Sequence, residues 1–126
     1  MGKGFEDLKV YQQARVLRSR VYKLTKTLPA EERFVLVPQM RRAALSVTNN
    51  IAEGHGSKGY RHNRSYLVRS RGSICELLDD LNACEDFGYF RKEHLDDLRL
   101  QAGRVAMLIN GYMRHLARKM KEENQD

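Results

Sequence analysis

The chain has 126 residues, a formal net charge of +7, 41% hydrophobic and 31% charged residues. That length suits one domain with one core and excludes a dinucleotide-binding domain joined to a substrate domain. Two Pro, no Trp and long stretches free of turn residues favour an all-α protein, while the lack of any ~18-residue apolar run or signal-peptide core predicts a soluble, cytoplasmic protein with no membrane partner.

Val10, Ala14, Leu17, Val21, Leu24 and Leu28 recur at alternating steps of four and three. This is the seam of a first helix over 6–28, broken at Pro29. Arg15, Arg18 and Lys26 fall off the seam, on outward faces. A short turn is expected over 30–34. Val37, Met40, Ala44, Val47 and Ile51 mark a second helix over 38–54, with Pro38 in its first turn and Gly54 as a glycine stop. Leu67, Ser70, Ile74, Leu77, Leu81, Cys84 and Gly88 give a third over 60–87. Leu95, Leu98, Ala102, Val105, Ile109, Tyr112 and Leu116 give a fourth over 92–122. Four helices on short connections predict a single-domain, antiparallel up-down four-helix bundle. Leu100, Ala106, Met107, Leu108 and Met113 lie off the fourth seam, more apolar surface than one core covers, which predicts a homo-oligomer.

Between the second and third helices, Gly54, Gly56 and Gly59 stand in the spacing G-x-G-x-x-G. The dinucleotide fingerprint needs a strand before the glycines, and here a helix precedes them. The Walker pattern fails too, since Tyr60 and Arg61 follow Gly59. A flexible interhelical turn is the expectation, with no cofactor. Cys75 and Cys84, roughly 13 Å apart on one helix at ~1.5 Å rise per residue, are expected to stay reduced. His55, His62, His94 and His115 lack metal-ligand spacing. Ser46 and Ser73 lack a His base at helical spacing, and the acidic pairs Asp79/Asp80 and Asp96/Asp97 point in different directions, so no catalytic residue is assigned.

Along the second helix Gln39, Arg42, Ser46, Asn50 and Glu53 form a polar stripe, and Arg69, Ser73, Glu76 and Asp80 form another on the third. A solvated face gives the same pattern. If the two stripes oppose each other, Arg42 meets Ser73 and Glu76, with Arg42–Glu76 a buried pair, and Glu53 meets Arg61 and Arg64.

The second-helix motif "QMRRAALSVTNNIAEG", together with "FEDLKVYQQA", Pro29, Glu32, Phe34 and "RGSICELLDDL", resembles the four-helix-bundle proteins encoded in intervening sequences of bacterial 23S ribosomal RNA genes. Their relatives include the accessory variability determinant proteins of diversity-generating retroelements. The resemblance spans nearly the whole chain. It implies a left-handed bundle assembled into a ring-like homo-oligomer, a pentamer. For the retroelement relatives it implies binding of nucleic acid and of a reverse transcriptase through a basic surface. It implies no enzymatic activity. Gly59, His62 and Asn63 depart from the family's usual entry to the third helix, as do Tyr11 and Pro38 from the usual Trp and Ser or Thr.

The charge is unevenly spread. Residues 1–28 hold seven basic and two acidic residues, a net +5. In the third helix, Arg61, Arg64, Arg69 and Arg71 precede Glu76, Asp79, Asp80, Glu85 and Asp86, against the preference of the helix macrodipole. Lys58, Arg61 and Arg64, with His55 and His62 around the glycine loop, are the candidate contacts to a phosphate backbone. Arg69 and Arg71 are expected to pair with acidic groups such as Glu53 and the acidic clusters of neighbouring subunits. Arg114, Arg118, Lys119 and Lys121 are read as complements to the dipole of the fourth helix. The expectation is a non-catalytic, oligomeric accessory or scaffold protein that binds RNA or DNA; the alternative is a structural oligomer that serves as a protein–protein scaffold.

Overall fold

The computed structural model describes residues 4–124. Four helices account for most of them: α1 (Lys9–Thr25), α2 (Leu36–Gly56), α3 (Tyr60–Asp86) and α4 (Lys92–Asn124), with single 3-10 turns at Phe5–Asp7 and Ala30–Glu32. No strand occurs among the described residues.

The heptad seams become the core. Ala14, Leu17 and Val21 of α1, Met40, Val47 and Ile51 of α2, Leu67, Ile74, Leu77, Leu81 and Cys84 of α3, and Leu95, Ala102, Val105 and Ile109 of α4 are each at most 1% exposed. A Val, Leu, Ile or Met side chain, fully buried, contributes about 1.5–3 kcal/mol by transfer. The seams falter at Leu28, Val37 and Tyr112, which are half-buried, and at Gly88, which is exposed; Met113 takes the inward place beside Tyr112.

Direction follows from the hydrogen bonds. Gln39 pairs with Asp80 and Ser46 with Ser73, so α2 and α3 run antiparallel. Arg18 with Thr48 and Arg41 with Thr25 give the same result for α1 and α2, and Arg71 with Asn110 and Arg99 with Glu85 for α3 and α4. Arg20 closes the circuit from α1 to α4 through Gln101 and Asp97.

The first helix starts at Lys9 instead of residue 6 and the second at Leu36 instead of Pro38, and the ends of α3 and α4 shift by one or two residues; two further ends differ in an informative way. The first helix stops at Thr25 instead of Leu28, and the hydroxyls of Thr25 and Thr27 bond back to the carbonyls of Tyr22 and Leu24. The Leu24 carbonyl, which a continuing helix would have offered to the Leu28 amide, instead also accepts the Thr27 amide at 3.0 Å. The second helix does not stop at Gly54. It runs to Gly56, and Ser57 closes it by donating both its amide and its hydroxyl to Gly54 O, at 3.2 and 2.6 Å. Gly54 is buried because α3 crosses there. A Cβ at that point would sit 2.7 Å from Asn63 Oδ1, 3.0 Å from Tyr66 Cβ and 3.1 Å from the Asn63 carbonyl oxygen. The glycine is needed for close approach, not for termination. Pro38 lies in the first turn of α2, where its missing donor costs nothing. True left-handed glycines stand at Gly59 (φ 81°), which opens α3, and Gly88 (φ 79°), just past its end.

Candidate nucleic-acid interface

The α2–α3 turn is three residues long, Ser57–Gly59, and Lys58 projects from it into solvent. Gly59 offers no side chain to cap α3. The first bond inside the helix runs from Asn63 N to Gly59 O at 3.2 Å, so the amides before it have no intrahelical acceptor. Arg61, His62 and Arg64 stand exposed on the first turns, around those donors. Like charges and the positive end of the helix dipole are therefore concentrated at one point.

Because α3 and α4 are antiparallel, the C-terminal part of α4 comes to the same end. Arg64, Arg71, Asn110, Met113 and Arg114 line one surface cleft, and Arg61, Arg64, Arg69 and Met120 line the next. Arg64 thus lies between two basic clefts. The expectation that Arg114, Arg118, Lys119 and Lys121 serve only to complement a dipole is too narrow, since Arg114 shares a cleft with Arg64. Sequence reasoning missed Arg71 and Arg114 as members of this surface, although antiparallel pairing of the third and fourth seams was a signal for them.

Within one copy of the chain, Arg69 and Arg71 form no ion pair among the described residues. The Arg69 guanidinium lies 4.9 Å from the centre of the Tyr66 ring, and Arg71 Nη1 donates to Asn110 Oδ1 at 2.9 Å. Among the described residues the ion pairs are Arg20–Asp97, Lys92–Asp96, Arg99–Glu85 and Arg99–Asp96. All of them involve the first half of α4, bonded within itself, to α1 or to the end of α3. The Lys92–Asp96 bond draws the Asp96 carboxyl below the ordinary carboxylate range and raises Lys92. At the opposite end Glu53 is exposed and forms no ion pair with Arg61 or Arg64 among the described residues.

The α1 candidates divide. Arg18 Nη1 donates to Thr48 Oγ1 at 3.0 Å, and Arg15 is exposed one turn nearer the loop. Lys26 sits at the other end of the molecule. Arg41 Nε bonds Thr25 Oγ1 at 2.9 Å, which holds Lys26 beside the first half of α2, about 25 Å along the axis from Lys58 at ~1.5 Å per residue. Lys26 is not part of this surface. His55, in the last turn of α2, is half-buried and faces a cleft with Ser57, Asn63 and Tyr112.

The two polar stripes do oppose each other. Ser46 Oγ and Ser73 Oγ are 2.7 Å apart, Asn50 Nδ2 donates to Ser46 Oγ at 3.0 Å, and Gln39 Nε2 donates to Asp80 Oδ1 at 2.7 Å. The buried Arg42–Glu76 pair is absent: both side chains are exposed, and neither belongs to an ion pair among the described residues. At that level Ser46, Asn50 and Ser73 fill the contact between the helices, and Arg42 and Glu76 stand exposed. The acid that the stripes do bury is Asp80. It is 3% exposed, and its Oδ2 has no hydrogen-bond partner. Burial raises its carboxyl above the usual value, the Gln39 bond opposes this, and Asp79 and Glu76 add to it. Four residues on, burial and the Asp80 charge push the Cys84 thiol up to about 11, which leaves it an inert packing group against Met40 Sδ.

No group of three or more His, Cys, Asp or Glu among the described residues could hold a metal ion. No helix of the described residues is long and apolar enough to cross a membrane.

Comparison with curated proteins found no match. Among solved structures, one from Bacteroides thetaiotaomicron, described as a protein with unknown function from the S23 ribosomal protein family, superposes with a TM-score of 0.77 at 18% identity, covering 82% of this chain and 97% of that one. At that identity the likeness establishes the fold. The family model for the 23S rRNA-intervening sequence protein matches residues 6–111, the span that contains both polar stripes and nearly all of the four seams, and the chain belongs to that family.

Proposed function

We propose that the protein is a non-catalytic, nucleic-acid-associated accessory protein whose α2–α3 end holds the phosphate backbone of RNA or DNA. One observation carries this reading. Lys58, Arg61, Arg64, Arg69, Arg71 and Arg114 share one end of the molecule with no acidic partner among the described residues, whereas Arg20, Lys92 and Arg99 at the other end are paired. Cations without acidic partners at the uncapped start of a helix suit a polyanion. The name of the family, taken from an intervening sequence of 23S rRNA, agrees with such a role.

The same reading takes the fold as an up-down bundle that assembles into a ring-like homo-oligomer, a pentamer, in the cytoplasm. Leu100 and Met107 of α4, 54% and 71% exposed, support self-association, as do Phe34 and Phe87 at 79% and 61%. A ring multiplies a weak site. A relation to the retroelement accessory proteins would add a reverse transcriptase as partner. The exposed apolar residues also fit the second reading, a scaffold for protein partners alone.

Binding of RNA and DNA, measured as log affinity against log salt, separates the two. A steep negative slope of about 0.7–0.9 per neutralised phosphate, largely independent of sequence, is expected from backbone binding. Failure to bind either polymer at low salt leaves the protein scaffold.

A further inference from the structure

Beside the basic clefts lies one of different character. The C-terminus of α2, the start of α3 and the last turns of α4 enclose a cleft of about 450 Å³, whose walls include Ser57, Tyr60, Asn63, Tyr112, His115 and Lys119. Its size falls in the range of small-ligand sites, roughly 300–1,000 Å³. Three of these residues are aromatic. The rings of Tyr112 and His115 are nearly parallel, 14° apart with centroids separated by 6.2 Å, and His115 is exposed. At the floor, Asn63 is 7% exposed and its Nδ2 donates to Tyr112 Oη at 3.4 Å, while its Oδ1 is turned toward the Gly54 backbone. Glu123 on the rim supplies an acceptor, and Lys119 a donor. Flat aromatic walls, a few polar groups and phosphate-binding cations on either side match the needs of a nucleobase attached to its backbone.

We propose that this cleft takes an unstacked nucleobase of a single-stranded nucleic acid, stacked on His115 and Tyr60, while Lys58, Arg61 and Lys119 hold the adjoining phosphates. The proposal rests on the nucleic-acid reading above and deepens it from backbone attraction to recognition of single strands. A base inside a duplex cannot reach the cleft without unpairing. The three-residue turn and the two helix ends fix the walls in advance, so little ordering is needed on binding.

The test compares a short adenine oligonucleotide with an abasic oligomer of equal length and phosphate number, and with the same sequence as a duplex. The wild type should prefer the single strand with bases, and His115→Ala and Tyr60→Leu should each weaken that binding, with the loss for a stacked base roughly 5- to 150-fold. Binding to the abasic oligomer and the salt slope should stay unchanged. Tyr60→Leu keeps an apolar packing group, and circular dichroism confirms the helices in both variants. Ribose and deoxyribose versions identify the source, and tighter binding of either single strand supports the cleft. Equal affinity for the abasic oligomer or the duplex, with salt dependence intact, overturns the base cleft and leaves backbone binding standing. No binding to any oligomer at low salt overturns both.

Discussion

Asn63 and Gly54 are packed so closely that the Asn63 side-chain oxygen lies 2.7 Å from where a Cβ on Gly54 would stand. The Asn63 carbonyl oxygen, at 3.1 Å, is backbone and cannot turn aside. Here α2 and α3 cross just before the turn that carries Lys58. The register of the candidate interface is therefore set by a missing methyl group.

Gly54→Ala should destabilise the fold by about 1–3 kcal/mol through overpacking, even though Ala is the better helix former by about 1 kcal/mol. Gly72, exposed in the middle of α3 with nothing within 4 Å of an added Cβ, should respond the other way. Gly72→Ala is expected to stabilise by about 0.5–1 kcal/mol. Urea unfolding of the two variants shows the opposite signs if close approach, and not helix propensity, governs Gly54.

Asp80→Asn probes the buried carboxyl. Its folded value is raised above 3.8, so the native state holds the proton more tightly than the unfolded chain does. Stability from this group is fully present below the unfolded value and is lost as pH rises through the folded one. The wild type should therefore gain on Asp80→Asn as pH falls toward 3.8, and the variant should be the more stable at pH 7. Thermal unfolding of both proteins across that range reads the difference; parallel curves would remove the buried charge as a cause.

Arg42→Ala and Glu76→Ala should each change stability by under about 1 kcal/mol, because both side chains are exposed and form no ion pair with each other. A double-mutant cycle should show no coupling in the monomer. A coupling of several kcal/mol would mean that assembly buries them.

For assembly itself, Leu100→Glu combined with Met107→Glu places charge on the exposed apolar face of α4. The wild type should scatter light as an oligomer at micromolar concentration and the variant as a monomer, with helicity unchanged. A monomeric wild type would remove the ring.

Lys58, Arg61 and Arg64 replaced together by Ala should lower the salt slope by about 0.7–0.9 for every phosphate that is no longer neutralised. The appropriate control is Lys23 with Lys26, exposed at the far end. Arg114 would be a poor one, since it shares a cleft with Arg64. An equal drop in both variants would mean diffuse attraction and no defined surface.

The seams were legible because an apolar residue every three or four positions can be satisfied in water only by one shared core. Val10 through Leu24 and Leu95 through Ile109 fell where the spacing put them. Gly54 was misjudged because glycine serves both to end helices and to let them touch, and one sequence does not distinguish the two uses. Arg42 and Glu76 were correctly aligned along their helices but wrongly turned: spacing gives the position on the axis, whereas small residues such as Ser46 and Ser73 took the contact and left the charged pair exposed. The cleft with Asn63, Tyr112 and His115 was invisible for another reason. It is assembled from three helix ends, and no local pattern marks their convergence.

The separation of paired charges from cations without acidic partners gives the molecule a direction. Among the described residues Lys23 and Lys26 remain unpaired at the far end, but the ion pairs gather toward the α3–α4 turn and Lys58, Arg61 and Arg64 crowd the α2–α3 end. That imbalance would give a dipole roughly along the helix axes. In the field of a polyanion such a body experiences a torque before it touches anything. Rotation then precedes contact, and productive collisions become more frequent than a uniformly charged sphere of the same +7 would achieve. Copies arranged with their axes alike would add their dipoles, and copies related by a twofold perpendicular to those axes would cancel them. The symmetry of the assembly therefore decides whether this orienting force survives, and electric birefringence of the protein in dilute salt would reveal which arrangement it adopts.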